Sequence, residues 1–184
     1  MNLANQLTLL RILLVPVFIA ALLYSSPEKP YLHTAAIIIY LAACITDGLD
    51  GYLARRMDEK TQLGSYIDPI ADKLLLISGY LSLSLMPHLP KAMHIPAWVT
   101  LTVLFRDVVI LTGAVVIFIA TGTLKAKPLF VSKITTVVQM TALFFSLLGL
   151  SWEVRLSAYV LASALTVLCG ILYIRVGGRL FQEA

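Results

Sequence analysis

The sequence predicts an all-α, polytopic membrane protein with six transmembrane helices in one bundle, and three observations predict it. Of the 184 residues, 59% are hydrophobic and only 13% charged, whereas a soluble domain carries about a quarter charged. Six apolar stretches, approximately 6–25, 33–55, 68–87, 96–121, 132–150 and 155–177, each approach the ~20 residues that cross a ~30 Å hydrocarbon core. Turn-forming punctuation separates them, and no internal repeat, low-complexity tract or soluble appendage interrupts the series. A single membrane domain over 1–184 is the expected organisation.

The first stretch begins with Asn2, Asn5, Gln6 and Thr8 among leucines, as a partly interfacial helix start would. No cleaved leader is expected, because the segment before Arg11 has no positive side chain and no A-x-A site follows. The breaks at Ser25-Ser26-Pro27, Pro87 to Pro90, Gly122 to Pro128 and Ser151-Trp152-Glu153 suit short interhelical turns.

The loop charges predict the orientation. Arg55, Arg56 and Lys60 follow span two, Lys125, Lys127 and Lys133 lie between spans four and five, and Arg175 and Arg179 end span six. The opposite loops offer only Lys29, Lys91 and Arg155. The basic excess places the first set, and with it both termini, in the cytoplasm. The expected location is the cytoplasmic (inner) membrane, with multiple passes.

Six of the ten acids, Asp47, Asp50, Asp58, Glu59, Asp68 and Asp72, fall in one 26-residue window. Thirteen mostly apolar residues, His33 to Ile45, advance span two by about 20 Å, so Asp47 and Asp50 arrive before the membrane is fully crossed. An ionised carboxylate there needs a polar cavity, a partner charge or a metal. At about 100° per residue, Asp47, Asp50, Gly51, Ala54 and Arg55 share an arc of roughly 140°. One face thus presents two acids, two very small residues and a guanidinium.

Asp68 precedes Pro69, which suits a first helical position and makes Asp68 the expected cap of span three. Asp72 follows one turn later on the same face. Gly64, in the expected linker from Arg56 to Ile67, would allow close backbone approach to a ligand. Four carboxylates without cations repel one another; two divalent ions balance them, and all-oxygen ligands favour Mg²⁺ or Mn²⁺. A basic residue beside such a site points to a diphosphate substrate. Ion pairing with Arg55, Arg56, Lys60 and Lys73 is the competing structural account, and it is the one that suits Asp58 and Glu59.

The pattern Asp47-x2-Asp50-Gly51-x2-Ala54-Arg55-x8-Gly64-x3-Asp68-x3-Asp72 resembles the full signature of the CDP-alcohol phosphatidyltransferases. The six-span layout and the opening Asn5-x2-Thr8-x2-Arg11 extend the resemblance over nearly the whole chain. It implies that Asp47, Asp50, Asp68 and Asp72 hold two metal ions, with Asp72 also the general base. It implies further that Gly51, Ala54, Arg55 and Gly64 frame the CDP group of CDP-diacylglycerol, and that the protein is a homodimer. An acceptor hydroxyl would attack the β-phosphorus and CMP would leave, with no covalent enzyme intermediate.

The acceptor candidates are the remaining polar residues of the spans: Arg106, Ser132, Lys133 and Arg175. Arg106 has a structural alternative, bonding to a carboxylate or to carbonyls; its neighbour Asp107 need not pair with it, since adjacent helical positions diverge. Lys133 near a helix start suits a phosphate, or snorkels; Arg175 joins the pocket or anchors span six. These features look most like the bacterial phosphatidylglycerophosphate synthases, which implies glycerol 3-phosphate as acceptor. The cardiolipin synthases of the same family, which use phosphatidylglycerol, are the alternative. A divalent-cation transporter would spread its acids through the membrane depth, which these do not do. Membrane lipid is an expected partner and nucleic acid is not. Cys44 and Cys169 read as small apolar residues, and the histidines receive no role.

Overall fold

A computed structural model describes residues 3–56, 62–121 and 130–182. All regular structure among them is helical: α1 (Leu3–Leu23), α2 (Pro30–Arg56), α3 (Gln62–Leu85), α4 (Ala97–Thr121), α5 (Phe130–Leu147) and α6 (Trp152–Gln182). The six helices coincide with the six apolar stretches, because each run is long enough to satisfy its backbone internally. Their contacts form two compact units, 1–94 and 95–184.

In the first unit α1 packs on both α2 and α3, which touch each other over a shorter stretch. Its core contains Phe18, Leu22, Ala36, Tyr40, Ala43, Leu76, Tyr80 and Leu83. Phe18 and Tyr40 meet with ring centroids 5.9 Å apart, a separation at which tilted aromatic pairs attract. The buried alanines Ala36 and Ala43 on α2 let the helices approach closely. Pro30 opens α2, where its missing N–H has no partner to lose. His88 Nε2 donates to the Leu22 carbonyl at 3.0 Å, tying the loop after α3 to the end of α1.

One expected boundary is corrected. The third helix starts at Gln62, six residues before Asp68. Asp68 is therefore an interior helical position and not the cap, and Gly64 lies in the first turn of α3 and not in a linker.

In the second unit α6 packs on both α4 and α5. Val99, Val103, Leu143, Leu147, Tyr159 and Ala162 are buried there, and Ser146 Oγ hydrogen-bonds the Tyr159 hydroxyl at 2.7 Å. Three residues earlier than expected, α5 ends at Leu147, in a Schellman motif: Gly149 N–H donates to Ser146 O and Leu150 N–H to Phe145 O. Gly149 has φ 61°, the left-handed conformation this motif requires. Arg155 Nε then donates to the Leu150 carbonyl at 2.8 Å and stacks over Trp152.

Among the described residues, Phe130–Leu147 and Trp152–Arg175 are long and apolar enough to cross a membrane. Only 33% and 22% of these windows are buried, so their apolar side chains face outward, unlike those of a soluble core helix. A bilayer is the environment that suits such faces.

Candidate active site

The acidic signature occupies two consecutive helices joined by 57–61. Asp47 and Asp50 lie on α2, and Asp68 and Asp72 on α3. Asp50 precedes the end of α2 by six residues and Asp68 follows the start of α3 by six, about 9 Å in each case. Asp47 and Asp72 stand nine and ten residues from those same ends, about 14 and 15 Å. Spacings of three and four residues keep each pair on one helical face.

Gly51, Ala54 and Arg55 belong to the last two turns of α2, and Gly64 to the first of α3. The side chains of Asp47, Asp50, Gly51, Ala54, Arg55, Gly64, Asp68 and Asp72 lie outside the described residues, as do Asp58, Glu59 and Lys60. Among the described side chains no group of three or more His, Cys, Asp or Glu gathers. The donor set fits hard divalent ions by its chemistry: four carboxylates, all oxygen, with no thiolate or imidazole in the pattern. Arg11 of α1, named in the opening pattern, is 1% exposed and so carries its guanidinium into the core of the first unit.

The second unit has a polar centre of its own. Arg106 of α4 is 5% exposed. Its Nη1 donates to Asp107 Oδ1 at 2.8 Å, and its Nη2 to Ser132 Oγ of α5 at 2.6 Å and to Cys169 Sγ of α6 at 3.1 Å. One guanidinium thus joins all three helices of the unit. Arg106 and Asp107 do pair: the arginine stem folds back onto its neighbour's carboxylate, the bonding to a carboxylate that was one alternative for Arg106. The pair answers a physical demand, since a cation buried in an apolar bundle needs a counter-charge.

Ser132 is therefore brought to Arg106, whereas Lys133 and Arg175 are exposed and outside this network. Arg175 follows Cys169 by six residues, about 9 Å along α6, towards the end beside which α5 begins. Deeper in the unit, Gln139 Nε2 donates to Thr166 Oγ1 at 2.7 Å, and Thr135 Oγ1 to the Val131 carbonyl at 2.8 Å. Cys169 is the residue that sequence reasoning missed. A thiol in an apolar run reads as a small hydrophobe, and no local spacing links positions 106 and 169.

Residues 1–172 match the family described as CDP-alcohol phosphatidyltransferase. The chain is 39% identical over 178 residues to a probable phosphatidylglycerophosphate synthase of Mycobacterium tuberculosis, covering 94% of this chain and 80% of that protein. It is 32% identical over 168 residues to a CDP-diacylglycerol–glycerol-3-phosphate 3-phosphatidyltransferase of Blochmanniella floridana, covering 89% and 83%. A protein of the same name from Bacillus subtilis is 32% identical over 150 residues, covering 77% and 74%.

Proposed function

The chain belongs to the CDP-alcohol phosphatidyltransferase family, and from that premise we propose that it transfers the phosphatidyl group of CDP-diacylglycerol to a hydroxyl of sn-glycerol 3-phosphate, releasing CMP. The observation that carries the reading is the family match over residues 1–172, which spans the whole acid pattern on α2 and α3. Asp47 and Asp50 on α2 and Asp68 and Asp72 on α3 belong to helices that touch each other. The printed names of the relatives support the acceptor.

Asp47, Asp50, Asp68 and Asp72 are the residues to hold two divalent ions, Mg²⁺ or Mn²⁺. Bound there, the ions would neutralise diphosphate charge and stabilise the departing CMP. Arg55 meets a phosphate of the CDP group, and Gly51, Ala54 and Gly64 leave room for its close approach. Asp72 accepts the proton of the acceptor hydroxyl. The hydroxyl oxygen bonds to the β-phosphorus as the bond from that phosphorus to the bridging oxygen breaks. Lys133, exposed near the start of α5, is the candidate for the phosphate of the acceptor, and Arg175 anchors the end of span six. Ser132 and the Arg106 network fix the helices that carry them.

The proposal extends to the architecture: six spans acting as one domain over 1–184, multi-pass in the cytoplasmic membrane, with both termini and the site at the cytosolic face. The basic loops support this orientation, and homodimerisation rests on the family resemblance. The test is CMP release by purified protein given both substrates after chelation. Release is expected to stop with EDTA and to return with Mg²⁺ or Mn²⁺; turnover that persists without divalent ions overturns the metal assignment.

A further inference from the structure

A groove of about 590 Å³ runs between α4 and α6 of the second unit, with Arg106 in its wall. Its α4 side, from Leu101 to Val109, and its α6 side, from Thr166 to Ile174, follow one spacing: i, i+1, i+4, i+5, i+8. Each is a single helical stripe of eight residue steps, so the groove is a trough about 12 Å long. The rim is apolar and open, with Phe105 71% and Ile174 64% exposed. A Cβ built on Gly170 meets nothing within 4 Å, so the trough is open where a side chain would otherwise stand.

Two features select its occupant. The wall charge is countered within the unit, because Arg106 is paired with Asp107 and bonded to Ser132 and Cys169. The trough's exposed cation lies at one end, where Ile174 is followed by the exposed Arg175, the last residue of the apolar span, and then by Arg179 in sequence. A long apolar body with a negative head at one end complements both features.

We propose that the α4–α6 trough is a seat for one acyl chain of an anionic phospholipid, with the lipid phosphate at the basic end of α6. This goes beyond the transfer reaction and involves no substrate turnover.

The test is tryptophan quenching by brominated lipid, with Trp98 and Trp152 both replaced by Phe. One reporter is Phe105→Trp on the trough rim. The other is Val137→Trp on α5, 62% exposed and absent from the trough lining. Each is reconstituted in vesicles mixing dibrominated phosphatidylglycerol with unbrominated phosphatidylcholine, and in the converse mixture. At position 105 the anionic lipid is expected to be preferred about fivefold, the effect of one basic residue near the head group, with no such preference at 137. Gly170→Leu fills the trough and is expected to bring position 105 to the value at 137. Gly113→Leu, equally free of contacts and outside the trough, is expected to leave the preference intact. Equal preference at both reporters overturns the proposal, as does preference that survives Gly170→Leu. Shielding of position 105 from both lipids overturns it in favour of a protein occupant.

Discussion

Removing the carboxylate of Asp107 tests whether the second unit is built around the Arg106 guanidinium. The two groups meet at 2.8 Å with side-chain exposures of 4% and 11%, so solvent screens the pair little. Asp107→Ala leaves a buried cation with a hydroxyl and a thiol as its partners among the described residues, and breaking a buried pair on one side costs about 3–5 kcal/mol. Ser132→Ala removes one hydrogen bond to a charged group. Such bonds are worth about 1.5–3 kcal/mol in soluble proteins, while side-chain bonds between membrane helices reach at most ~1.7, so about 1–2 kcal/mol is expected. The double variant Arg106→Met/Asp107→Ala removes both charges and should be more stable than Asp107→Ala alone, because no uncompensated ion remains. The assay is unfolding in mixed micelles of SDS and a mild detergent, followed by circular dichroism. A loss below about 1 kcal/mol for Asp107→Ala, under a third of the buried-pair cost, would refute the reasoning. So would a double variant that costs the sum of its parts.

Three further outcomes are expected. Asp72→Asn should abolish CMP release while leaving detergent-extracted protein monodisperse and helical; near-normal turnover would remove Asp72 from its role as base. Lys133→Ala should raise the KM for glycerol 3-phosphate far more than that for CDP-diacylglycerol, and an equal rise in both would argue against an acceptor-phosphate contact. Gly149→Ala places a Cβ on a residue with φ 61° and should destabilise the second unit by about 1–2 kcal/mol, read as a lower thermal midpoint with transfer kinetics retained below it.

The helices were legible because hydrophobicity over some twenty residues is a signal that tertiary context rarely overrides. Their ends were less so. Pro69 suggested that α3 begins there, but the helix extends back to Gln62. The end of α5 at Leu147 was written locally in Gly149, whose positive φ allows the Schellman turn.

The acid signature was readable as a pattern because its spacings are those of helical faces, and its residues fall on α2 and α3. The Arg106 network was only partly readable. A mid-span arginine demands a counter-charge, which pointed to a polar contact. Its partners Ser132 and Cys169 stand 26 and 63 residues away, and no local spacing encodes contacts at that range. The open face over Gly170 left no trace in hydropathy, since an absent side chain changes the average very little.

The most direct test of the central claim is CMP release by purified protein given CDP-diacylglycerol and Mg²⁺ or Mn²⁺, with glycerol 3-phosphate and phosphatidylglycerol compared as acceptors. Release with glycerol 3-phosphate, and none with phosphatidylglycerol alone, is the predicted result. Release that occurs only with phosphatidylglycerol would contradict the assigned acceptor, and release with neither would contradict the assigned reaction.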